Sequence, residues 1–62
     1  MLKVLIVDDE SIIREGLKTI INWSEYGFEI CDTASNGREG LQKVQEHRPD
    51  LAIVDIKMPV MD

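Results

Sequence analysis

Apolar residues fall along the chain in three short blocks, separated by two stretches of helical periodicity. Leu2 to Val7 (LKVLIV) is a nearly unbroken apolar, β-branched run, the pattern of a strand buried on both faces of a parallel sheet. Ile13, Leu17, Ile20 and Ile21 then recur at helical spacing, with Ser11 placed to cap the helix. Gly16 inside it costs about 1 kcal/mol relative to Ala, which points to close packing there. NWSEYG interrupts the pattern, with Gly27 as the turn residue. Phe28 to Ala34 (FEICDTA) alternates apolar and polar positions and predicts a strand nearer the sheet edge. Asn36 opens a second helix with Glu39 as capping-box partner, and Leu41 and Val44 mark its core side. His47 and Arg48 bring positive charge to its C-terminal end, and Pro49 stops it. Leu51 to Ile56 (LAIVDI) predicts a third buried strand, interrupted by Asp55, and 57–62 (KMPVMD) reads as loop. Strand, helix, strand, helix, strand makes the fold class α/β with a parallel sheet.

Composition narrows the function. With 62 residues and a net charge of -5, the chain is one small domain whose Lys and Arg do not cluster, unlike a surface that neutralises phosphates. No apolar stretch approaches the length that spans a bilayer, and the N-terminus lacks the basic-then-apolar layout of a signal peptide. Cys31 has no second cysteine to pair with, which fits a reducing cytoplasm, and it reads as a small strand residue. Trp23, Tyr26 and Phe28 are expected to pack around the helix–strand connection.

The chemistry lies in the acids. Asp8 and Asp9 follow the C-terminal end of the first strand, and Asp55 lies at the C-terminal end of the third. Crossovers between parallel strands return to the same end of the sheet. If strand one sits between two and three, these ends are neighbours at a switch point, where α/β proteins bind ligands. Two carboxylates about 4 Å apart repel by roughly 4 kcal/mol at an effective dielectric near 20. Either one stays protonated or a cation compensates. An all-oxygen set suits a hard ion such as Mg2+, which would also offset an incoming phosphoryl group.

VLIVDDE near the start and LAIVDIKMPVMD further on resemble the receiver domain of two-component response regulators, with the acid pair, the strand-ending Asp and the following KMPxMD in the family's order. The resemblance implies a flavodoxin-like parallel sheet of strand order 2-1-3, with residues 1–62 forming a partial receiver, roughly the first half. It implies Asp55 as phosphoacceptor, Asp9 as the main acidic-pair ligand of Mg2+, and Asp8 as a second ligand or one acting through water. Lys57 would offer its backbone carbonyl to the metal, while Met58 and Pro59 shape the loop. A sensor histidine kinase is the implied partner, and DNA would be reached only through an output domain absent from this chain. NWSEYGFEI is similar to receivers attached to AraC-type DNA-binding domains. The family's Ser or Thr after strand four and Lys on strand five would lie beyond Asp62.

Two other functions compete. A Mg-dependent aspartyl-phosphate phosphohydrolase would carry D-x-D after its first strand, whereas this chain has adjacent Asp8 and Asp9. A structural half-fold would perform no phosphotransfer. Strand three would lack a neighbour and both sheet faces would be half uncovered, which predicts self-association.

Overall fold

A computed structural model describes residues 1–55. The elements are β1 (Leu2–Asp8), α1 (Ser11–Ile20), a 3-10 turn (Trp23–Tyr26), β2 (Phe28–Ala34), α2 (Gly37–His47) and β3 (Leu51–Asp55). The sheet is parallel with order β2-β1-β3, the flavodoxin-like arrangement. Ile56, the last residue of the expected third strand, and the loop 57–62 lie outside the described residues.

β1 is the centre of the molecule because its sequence can be buried on both sides. Val4, Leu5 and Ile6 are fully buried and Val7 nearly so. Right-handed crossovers to strands on opposite sides of β1 place α1 and α2 on opposite faces. Leu5 and Val7 pack with Ala34 on the α2 face, leaving Val4 and Ile6, by alternation, for the α1 face. Gly40 lets α2 approach β1 closely: a Cβ there would stand 3.1 Å from a Val7 methyl carbon. The β1–β2 register slips between Val4 and Leu5, so Cys31 is an extra residue in β2. Its thiol lies 3.4 Å from the Val4 carbonyl, and the resulting bulge reverses which face the remaining β2 residues present.

Several expectations need correction. Ser11 is the first helical residue of α1, not its cap, and the helix ends at Ile20 with Ile21 already extended. Leu41 and Val44 point to the sheet side but are not buried: Leu41 is 69% exposed, and both line an open apolar groove of about 150 Å³ with Leu5, Val7, Ala52 and Val54. β3 is not a buried strand either, since Val54 is 60% exposed and Ile53 alone is half-buried. The physical reason is common to both: among the described residues nothing covers the outer side of β3 or the groove between it and α2. Tyr26 is exposed, whereas Trp23 and Phe28 do meet, edge to face at 6.3 Å, with the Trp23 indole donating to the Leu17 carbonyl. Asn36 caps α2 as expected, its side chain accepting from the Glu39 amide at 2.8 Å, and Gly27 takes the left-handed conformation.

Candidate functional site

The site is built by one rung of the sheet. Asp8 and Asp55 are register partners at the C-terminal ends of β1 and β3. Adjacent parallel strands lie about 4.8 Å apart and paired residues share a face, so the two carboxylates leave the sheet side by side. Their face is that of Ile6 and Ile53, the side on which α1 begins.

Asp8 is only 2% exposed. Its Oδ1 accepts the Glu10 amide at 2.9 Å, which fixes the turn from β1 into α1. Its Oδ2 is buried and has no hydrogen-bond partner among the described residues. A buried, unsatisfied carboxylate oxygen is costly, and the register partner of Asp8 on the neighbouring strand carries a second carboxylate. Asp9 and Asp55 are exposed. The set therefore consists of one buried and two solvent-facing carboxylates, all hard oxygen donors with no sulfur or imidazole among them. That set fits a magnesium-like ion, which binds through one or two carboxylates and keeps several waters. Lys57, expected to add its carbonyl, lies outside the described residues, as do Met58 and Pro59.

Among the described residues, Arg14 brings a basic side chain to this site. The Arg14 guanidinium donates from Nη1 to the Asp8 carbonyl at 2.7 Å. Sequence reading passed over it, although a signal existed: helical side chains lean toward the N-terminus, so a long residue in the second turn of α1 can reach back to the strand end.

A second polar cluster lies on β2 and the C-terminal half of α2. Asp32 Oδ2 stands 2.9 Å from both Lys43 Nζ and His47 Nε2, and a Glu46 oxygen lies 3.8 Å from the same imidazole nitrogen. His47 was expected only as a helix-ending cation; it also ties α2 to β2. The Lys43 ammonium, with the Thr33 amide and His47 helping, holds the Asp32 carboxyl down to about 2. The unfolded carboxyl titrates near 3.9, so the stabilisation is fully present above that pH and is lost as pH falls through about 2. Urea melts between pH 5 and pH 2 (roughly the range of acid unfolding) should show a decline that Asp32→Asn reduces. An identical acid profile in that variant would remove Asp32 from the account.

The sequence matches the response regulator receiver domain model over residues 4–62. It is 56% identical over 59 residues to the transcriptional regulatory protein HptR of Staphylococcus aureus, an overlap that covers 95% of this chain and 23% of HptR. An uncharacterized response regulatory protein of Staphylococcus epidermidis is 52% identical over the same length, with 24% of it covered. Among solved structures, the REC domain of AraT, a response regulator from Geobacillus stearothermophilus, superposes with a TM-score of 0.86 at 48% identity, covering 98% of this chain and 47% of that one. A two component transcriptional regulator AraC from Clostridium phytofermentans gives 0.83 at 40% identity, covering 100% of this chain and 48% of its own. The chain thus spans about a quarter of these curated relatives and just under half of these solved chains.

Proposed function

The chain belongs to the response regulator receiver domain family, and on that premise we propose that it is the phosphoacceptor part of a signalling switch, with Asp55 taking a phosphoryl group from the phosphohistidine of a sensor kinase. The observation that carries this reading is the Asp8–Asp55 rung, with a buried carboxylate oxygen that lacks a partner among the described residues.

Asp8, Asp9 and Asp55, with the Lys57 carbonyl, would hold Mg2+, whose contribution when bound is to neutralise charge between the carboxylates and the phosphoryl group. The chain's own part begins with placement. Asp8 is fixed by its bond to the Glu10 amide, and Asp55 is exposed at a strand end where a donor can approach in line. One Asp55 oxygen attacks phosphorus while the P–N bond to the donor imidazole breaks. The donor ring carries a proton on its other nitrogen, so when the bonded nitrogen keeps that electron pair the donor leaves as neutral imidazole and an acyl phosphate forms on Asp55. The new charge then biases the domain between two conformations. This is a switch with self-catalysed transfer rather than a conventional enzyme.

The same reading includes a cytoplasmic location and an output on DNA through a further domain. It is supported by relatives named as transcriptional regulators; among the described residues no helix is long and apolar enough to cross a membrane. The test is incubation of the full-length protein with acetyl phosphate and Mg2+, followed by intact mass. One phosphoryl adduct that disappears with chelator is expected. A folded, Mg2+-binding protein that never forms an adduct would overturn the assignment, and steady release of phosphate would favour the hydrolase.

The 62-residue chain taken alone is further proposed to pair with a second copy through the apolar surface around β3, where Leu51, Val54 and Leu41 are exposed. Sedimentation at increasing concentration should show self-association. A cooperatively folded monomer at every concentration would refute it.

A further inference from the structure

Three hydrogen bonds close a ring around the turn between β1 and α1. The Glu10 amide donates to Asp8 Oδ1 at 2.9 Å, the Arg14 amide donates to the Glu10 carbonyl at 3.0 Å, and the Arg14 guanidinium returns to the Asp8 carbonyl at 2.7 Å. Asp9 is the residue caught between the bonded positions, with its carboxylate on the outside. The first two bonds set the helix start. The third is different, because it ties the strand's last carbonyl to a half-buried side chain carried by the helix.

We infer that Arg14 is a positioning residue of the acidic site: by clamping the Asp8 carbonyl it fixes the spacing of the Asp8 and Asp9 carboxylates and so sets the affinity for the divalent cation. The inference rests on the receiver reading above. The guanidinium touches neither phosphorus nor the accepting oxygen and acts through the backbone of Asp8. Charge and position make opposite demands here. A cation near the site disfavours a second cation, so if charge alone mattered, removing Arg14 would tighten Mg2+ binding. If position matters, removal loosens the turn and weakens binding, as loss of outer partners of a metal site does by about 10- to 100-fold.

The experiment uses full-length protein with Arg14→Met and Arg14→Lys. Arg14→Met should weaken Mg2+ binding by about tenfold, measured by calorimetric titration. Lysine, whose ammonium donors end one bond nearer the backbone than the guanidinium nitrogens, should restore part of it. Phosphorylation by acetyl phosphate should then need more Mg2+ for its half-maximal rate, with the plateau rate nearly unchanged. In cation-free protein, hydrogen exchange of the Glu10 amide should quicken in both variants, and more in Arg14→Met, which gives a readout independent of loading and of phosphorylation. Unchanged or tighter Mg2+ binding with an unchanged Glu10 exchange rate in folded Arg14→Met or Arg14→Lys would overturn the inference while leaving the receiver reading intact. A wild-type protein that binds no Mg2+ would overturn both.

Discussion

Asp8→Asn is expected to make the cation-free protein more stable by about 1–3 kcal/mol and to abolish the stabilisation that magnesium brings. The first half follows from burial. Asp8 is 2% exposed, and its Oδ2 is sealed from water without a partner among the described residues. A buried polar atom left in that state costs about 1–3 kcal/mol, with more for a charged group. The neighbouring Asp55 carboxylate, one strand away, adds repulsion. Asparagine keeps the volume and keeps the Oδ1 acceptor for the Glu10 amide, so the turn is preserved while the charge is removed. Asp55, its register partner, offers the new amide group an acceptor on the neighbouring strand end. The second half follows from linkage: an ion bound only by the folded state adds about 2.7 kcal/mol at a hundredfold excess over its dissociation constant, and the variant has lost the buried donor. Urea denaturation with and without millimolar Mg2+ gives both quantities. A variant less stable than wild type without Mg2+ would mean that the Asp8 charge already has a partner, and the case for a cation would fall with it.

That buried oxygen also marks the limit of what the sequence could disclose. The run from Val4 to Val7 could only be central, because four consecutive apolar residues need cover on both faces, and all four are buried. The place of β1 between β2 and β3 came from the family resemblance, as the condition under which the strand-ending acids meet, and the observed strand order and Asp8–Asp55 register agree with it. The pattern could not reveal how much cover each strand receives. LAIVDI has the composition of a buried strand, yet burial depends on neighbours, and β3 has only β1 beside it among the described residues. Leu41 and Val44 are the same case on a helix: correctly oriented, incompletely covered. The bulge at Cys31 was illegible for another reason. Alternation along FEICDTA counts positions and cannot show that one of them has slipped out of register. Asp32, Lys43 and His47 converge across a strand and a helix, a contact without any short-range spacing to announce it. Arg14 lay within reach of local reasoning, six residues after Asp8, but its target is a backbone carbonyl and leaves no motif.

Asp55→Asn should remove the phosphoryl adduct completely without destabilising the cation-free fold, because this exposed substitution removes a charge that repels Asp8. Asp55 stands exposed at the end of β3, and its role in the proposed function is chemical. The carboxylate supplies the attacking oxygen, and the amide that replaces it is too poor a nucleophile to form an acyl phosphate. Asp55→Glu sharpens the test, since it keeps the carboxylate and moves it outward by one methylene. Misplacement of about 1 Å costs roughly 10²-fold in a reaction that depends on in-line geometry, so a faint, slow adduct is expected there, with Mg2+ binding retained. Intact mass after acetyl phosphate treatment, read beside a thermal melt of each variant, separates chemistry from folding. The alternative acceptors are close by: Asp8 shares the rung and Asp9 follows it. An adduct of undiminished yield on Asp55→Asn would therefore transfer the acceptor role to one of those two. Burial already argues against Asp8, whose carboxylate is closed to an approaching donor, and peptide mapping of that adduct would test whether Asp9 had taken it.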